Sequence, residues 1–240
     1  MAVLGLADPG DGDWARLRGL QYSSLARVSR LRIAAHLIAA LAVVWVYLGV
    51  LHPAFPLAWF AALCGSLWHT AKSDKALADA DRRRMSRDEV NRQSRGSIIN
   101  ALIWVVPLAG FAPFGTESAR LELWAITAML MTASAVLLPA VPLGNLLFAG
   151  IVGGGAFAGF VWAGTYEMAL LSLVFVGVVA LGSVENARSF LTARIAESAM
   201  AEKSEVVSLL LREFEEGEAD WLWQIDTSRR VRSVSPRFAY

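Results

Sequence analysis

The stretch Glu185–Glu216, ENARSFLTARIAESAMAEKSEVVSLLLREFEE, decides how the chain reads, because an apolar region precedes it and the pattern of a soluble domain follows it. Within it Leu191, Ile195, Ala199, Val206, Leu210 and Phe214 recur at steps of four or seven, which lines them along one helical face. Glu197, Glu202, Lys203, Glu205, Arg212 and Glu213 fill the rest, so the other face is solvated. The pattern predicts a long amphipathic, coiled-coil-like helix. Such a stripe needs a partner, and the same stripe on a second subunit is the simplest one, giving a homodimer through residues 185–216. Packing on the chain itself or on a membrane surface is the alternative.

Upstream, the composition is that of a membrane protein. Of 240 residues 56% are hydrophobic and only 18% charged, and the mean hydropathy is +0.48, too apolar for an ordinary soluble domain of this length. A net charge of +1 gives no reason to expect nucleic acid as a partner. The single cysteine, Cys64, lies in an apolar run and excludes an intrachain disulfide. The first thirty residues carry Asp8, Asp11, Asp13, Arg16 and Arg18 and no continuous apolar core, so a cleavable signal peptide is not expected.

Charge-free windows run over Ile33–Ala71, Gly96–Thr116, Leu123–Tyr166 and Met168–Val184, which are 39, 21, 44 and 17 residues long. A helix needs roughly 20 apolar residues to cross the hydrocarbon core, so the windows hold two, one, two and one spans. Six transmembrane helices are therefore predicted, at Ile33–Leu51, Ala54–Thr70, Ser97–Phe114, Leu123–Val141, Leu143–Ala163 and Met168–Val184. His52, Pro53 and Pro56 break the first double window, and Pro139, Pro142 and Gly144 the second. Basic residues crowd the arm before Ile33 (Arg16, Arg18, Arg27, Arg30, Arg32) and the loop 71–96 (Lys72, Lys75, Arg82, Arg83, Arg84, Arg87, Arg92, Arg95), whereas the opposite loops hold Arg120 alone. The positive-inside rule then puts both termini in the cytoplasm. The organisation expected is an arm at 1–32, a six-helix membrane domain at 33–184, a linker helix at 185–216 and a further domain opening at 217–240.

Within the predicted spans the aromatics Trp45, Tyr47, Trp59, Phe60, Trp68, Trp104, Phe111, Phe114, Trp124, Trp162 and Tyr166 lie near the ends, as interfacial anchors do. Gly150, Gly154, Gly155 and Gly159 make two GxxxG spacings and predict a close helix contact, within or between subunits. No Asp, Glu, Lys or Arg falls in a predicted span, which counts against a transporter or channel. His36 and His69 could suggest a metal or haem site, but two interfacial histidines with water access are the plainer reading, since nothing supplies further ligands. Asn100 is expected to bond to a neighbouring helix, and the basic loop, with Asp74, Asp79, Asp81, Asp88 and Glu89 interspersed, to be solvated and to set topology, with some attraction for anionic lipid. No phosphate loop, GxSxG, HExxH or paired-Cys motif occurs, so no catalytic residue, metal or cofactor is assigned to these 240 residues.

After the linker, Trp221, Trp223 and Ile225 alternate with Leu222, Gln224 and Asp226, the period of a half-buried strand; a turn at Thr227–Arg230 and a strand at Val231–Ser235 would complete a short β-hairpin. The run DWLWQIDTSRRVRSVSPRFAY resembles the opening of a PAS domain through Asp220, Trp221, Trp223, Asp226, Ser235 and Pro236. The segment AEKSEVVSLLLREFEEGEADW is similar to the linker of sphingomonad-type membrane proteins of cyclic-di-GMP signalling that carry GGDEF and EAL domains, and ALADADRRRMSRDEVNR and MLMTASAVLLPAVPLGN have the same family look. The resemblance implies the membrane sensor region and truncated PAS start of a bifunctional diguanylate cyclase and phosphodiesterase, with the output domains outside this chain. The input region of a PAS-containing sensor histidine kinase is the alternative in the same class, and a small multipass transporter the alternative in another.

Overall fold

The computed structural model describes residues 14–77, 85–216, 223–225 and 231–234. They form six α-helices in chain order: α1 Trp14–Tyr47, α2 Ala54–Lys75, α3 Arg87–Val105, α4 Glu117–Leu137, α5 Pro142–Trp162 and α6 Tyr166–Glu216. A π-helical turn, Val106–Phe111, and a 3-10 turn, Ala112–Phe114, prolong α3. The chain divides into two compact units, residues 1–192 and 193–240.

The helix ends have local causes. Ser86 and Glu89 form a reciprocal capping box at the start of α3, the Ser86 hydroxyl accepting from the Glu89 N–H and the Glu89 carboxylate from the Ser86 N–H. Thr116 caps α4 by accepting from the Ala119 N–H at 3.2 Å. Pro142 opens α5 at the first turn, where its missing N–H costs nothing. Pro107 deprives the Ile103 carbonyl of its usual donor, and that carbonyl accepts instead from the Val106 N–H and, at 2.7 Å, from the Trp59 indole N–H of α2.

In the first unit, α3 lies against α5, α1 against α2 and α4, and α2 against α3. One core cluster runs through Val43, Tyr47, Leu63, Trp104, Leu123, Met131 and Val152. Aromatic rings meet inside it edge to face: Trp59 with Trp104 at 5.3 Å and with Phe111 at 6.2 Å, and Trp124 with Phe160 at 5.9 Å. A second cluster (Tyr22, Leu25, Leu77, Met85, Val90, Leu138, Val141, with Phe190 against it) joins the start of α1, the end of α2, the start of α3, the α4–α5 turn and the middle of α6 at one end of the bundle. That end carries Arg18, Arg27, Arg30, Arg32, Lys72, Lys75, Arg92 and Arg95.

The fold class read from the sequence needs two corrections. Five helices, not six, are long and apolar enough to cross a membrane: Gln21–Tyr47, Asp88–Phe114, Glu117–Leu137, Pro142–Trp162 and Tyr166–Arg212. The helix at Ala54–Lys75 is not among them, because Pro56, Ser66, His69 and Thr70 dilute its apolar run before the charged last turn begins. The expected β-hairpin is also not an element of the fold. Beyond α6 the described residues hold only Trp223–Ile225 and Val231–Val234, paired antiparallel with an irregularity between Gln224 and Ile225, and the turn Thr227–Arg230 lies outside the described residues. A three- and a four-residue strand form no layer of their own, and the protein is an all-α, multi-pass membrane protein.

The aromatic anchors divide. Trp45, Trp68, Phe114, Trp162 and Tyr166 are exposed, as interfacial residues would be, whereas Tyr47, Trp59, Trp104, Phe111 and Trp124 are core. The glycines of α5 divide too. A Cβ at Gly155 would meet Val105 of α3 and one at Gly159 the Leu108 backbone carbonyl, so this pair makes the close contact inside the subunit. Gly150 and Gly154 face open space, and Gly153, outside both spacings, is the glycine that meets Val176 of α6.

Candidate functional site

Three polar layers run inward from the basic end between α1, α2 and α3. The outermost centres on Asp74, in the last turn of α2 and fully buried. Its Oδ2 accepts from Ser29 Oγ and Arg32 Nη2 of α1, both at 2.5 Å, and its Oδ1 from Gln93 Nε2 of α3 at 3.1 Å; Ser73 in turn donates to Gln93 Oε1 at 3.0 Å. Both carboxylate oxygens are engaged, and the Arg32 side chain is only 10% exposed. Leaving either charge unpaired at such depth costs about 3–5 kcal/mol. Asp74 is therefore a clamp joining three helices.

The solvated loop expected at 71–96 is corrected accordingly. Lys72, Ser73, Asp74 and Lys75 end α2, and the residues from Arg87 onward begin α3. The Met85 N–H donates to the Ala15 carbonyl at 2.9 Å, and the Arg18 Nε–H to the Met85 carbonyl at 3.1 Å. Residues 78–84, which hold Asp79, Asp81, Arg82, Arg83 and Arg84, lie outside the described residues.

The middle layer is Asn100, which accepts from Ser66 Oγ at 2.7 Å and donates to Thr70 Oγ1 at 3.3 Å. The expected bond from Asn100 to a neighbouring helix is present. The innermost layer pairs His36 with Trp104, whose indole N–H donates to His36 Nδ1 at 3.0 Å, while the Phe148 ring stands edge-on to the imidazole at 5.6 Å. His36 is buried, so the expectation of an interfacial histidine with water access fails for it, whereas His69 is exposed. The two do not come together: among the described residues no group of three or more His, Cys, Asp or Glu could hold a metal ion.

Beside these layers a groove of about 230 Å³ opens between α2 and α3, lined by His69, Thr70 and Ser73 on one side and Arg92, Arg95, Gly96 and Ser97 on the other. Nitrogen donors and hydroxyls dominate this lining, and the carboxylate bonded to its residues Arg32 and Gln93, that of Asp74, is fully used. Such an arrangement suits an anion.

Sequence reasoning missed Asp74, Ser29, Gln93 and the two asparagines that hold helix ends. Asn145 of α5 donates to the Ser134 and Leu138 carbonyls at 3.2 and 2.8 Å, and Asn186 of α6 donates to the Ala135 carbonyl at 3.0 Å. The Ser86-x-x-Glu89 spacing was a legible signal that a helix starts inside the basic segment. The chain matches no protein-family model, and no curated protein and no solved structure matches it.

Proposed function

We propose that this chain is the membrane input region of a bacterial signalling protein, a homodimer joined through residues 185–216, whose output domains outside this chain make or break cyclic di-GMP. The observation that supports the reading is the continuity of α6: one helix of 51 residues contains both an apolar length suited to the bilayer and the amphipathic stretch beyond it. A change in packing along the first part is thereby transmitted as rotation or tilt of the second. In the single chain Ile195, Val206 and Leu210 are 44%, 51% and 48% exposed, a stripe left without cover that a second copy would bury. The cyclic-di-GMP output rests on the resemblance alone, carried by residues 201–240 and by the segments 76–92 and 129–145.

Cross-linking tests the dimer. With Cys64→Ser as background, single cysteines at Ile195 and Leu210 should form disulfide-linked dimers in native membranes much faster than cysteines at Glu197 or Arg212 on the far side of the helix. Equal rates at all four positions would dismiss the dimer seam. We place the basic end in the cytoplasm of an inner membrane, since Arg120 stands alone at the other. Alkaline phosphatase fused after Glu117 or Tyr166 should be active, and fused after Asn145 inactive, since α4 and α5 each cross between these points; activity after Asn145 would reverse the assignment.

A further inference from the structure

We propose that the groove between α2 and α3 binds the phosphate headgroup of an anionic membrane lipid. Charge is the first argument. Of the arginines that line it, Arg32 is matched by Asp74, whereas Arg92 and Arg95 make no ion pair among the described residues. They stand three residues apart on one helix, where like charges repel unless an anion lies between them. Guanidinium forks match phosphate oxygens in geometry as well as charge, and His69 and Ser97 add donors to the same lining.

Size is the second argument. At about 230 Å³ the groove has room for a phosphate with its glycerol and is smaller than the roughly 300 Å³ or more of sites that enclose a whole drug-sized molecule. The third argument separates a lipid from free phosphate. From Arg95 the same face of α3 continues through Ile99, Leu102 and Val106, which are 52%, 55% and 46% exposed. Ile99 also lines the groove, so the anion site opens directly onto an apolar track along a membrane-length helix. An amphiphile with a phosphate at one end and acyl chains at the other fits both parts, and free phosphate uses only the first.

The full-length chain, purified in neutral detergent and offered equal amounts of dioleoylphosphatidylglycerol and dioleoylphosphatidylcholine, should retain the glycerol lipid preferentially by native mass spectrometry. Arg92→Gln combined with Arg95→Gln should lower that retention about tenfold or more. Gly96→Leu leaves every charge in place and puts a side chain into the groove at a position where an added Cβ meets nothing within 4 Å. It should cause the same loss without loss of fold. Arg27→Gln combined with Arg30→Gln removes as much charge from exposed residues that do not line the groove, and should leave retention unchanged. Wild-type retention in Gly96→Leu, or equal loss in the Arg27 and Arg30 variant, would overturn the site in favour of diffuse attraction. Displacement of the lipid by millimolar inorganic phosphate would overturn the lipid assignment and leave an anion site. The groove stands independently of the signalling reading: a chain that keeps this lipid yet shows no dimer seam loses only the latter.

Discussion

In the membrane-length window of α5, 56% of the residues are buried inside the protein, against 22% for α6, although α6 is the more apolar, with a mean hydropathy of 2.1 against 1.6. Side-chain size accounts for the inversion. Lipid tails are as apolar as leucine, so hydropathy brings a helix into the membrane without deciding what it packs against, and close packing goes to helices with small residues. On α5, Gly155 and Gly159 let α3 approach to backbone contact, and Gly153 receives Val176. On α6, Gly177 and Gly182 have nothing near them, and Leu170, Val174, Val178 and Leu181 point outward. Phe175 reaches Trp124 at 5.5 Å, but beside it an open apolar groove of about 560 Å³ runs along α4, lined by Ala128, Thr132 and Val136. The bundle encloses α5 and packs α6 along only a narrow strip.

Three experiments can break or sharpen this contrast. The largest effect is expected from Gly159→Val, which drives a branched side chain into the Leu108 carbonyl and should cost about 3 kcal/mol or more, read as loss of folded protein and a lower melting temperature in detergent. Gly154→Val, five residues away and facing open space, should be tolerated; equal damage from both would mean that α5 is constrained all round and would remove the face-specific account. A middle-sized effect is expected at the two asparagines. Asn145→Ala, on α5 and buried, should cost about 1–3 kcal/mol, and Asn186→Ala, on α6, no more than about 1 kcal/mol. A reversed order in thermal unfolding would show α6 to be the better anchored helix. The smallest effect is on α6 itself, where Gly177→Ala and Gly182→Ala should each raise stability by about 0.5–1 kcal/mol through helix propensity alone. Destabilisation by either would reveal a close neighbour for α6.

Helix breaks were readable because they are local: Pro53 and Pro56 divide the first double window and Pro139 and Pro142 the second, close to where α1 gives way to α2 and α4 to α5. Which face each helix presents was not, because a face is fixed by distant residues. Asp74 sits among Lys72, Ser73 and Lys75 and looks solvated, yet Ser29, 45 residues away, and Gln93, 19 residues away, enclose it. Trp104 reads from the sequence as one of the interfacial anchors, and only His36, 68 residues earlier, reveals that it faces inward. Of the glycines, the spacing found the helix and the contact but not the register, since Gly153 breaks the four-residue pattern and packs more closely than Gly150. For the groove, the charge was visible along the sequence, but its walls come from two helices and could be assembled only in three dimensions.

The Asp74 clamp has a bearing on the order in which the helices are put together. Held apart from its neighbours, α2 would carry a buried carboxylate without a counter-ion and a tryptophan indole without an acceptor, and it is the least apolar of the helices to be accommodated. Its answers come from both sides of the chain: Ser29 and Arg32 precede it in synthesis, and Gln93, Asn100 and the carbonyl freed at Ile103 follow it. The helix made second is thus the one whose place is completed third, waiting on α3 before its polar groups are all matched.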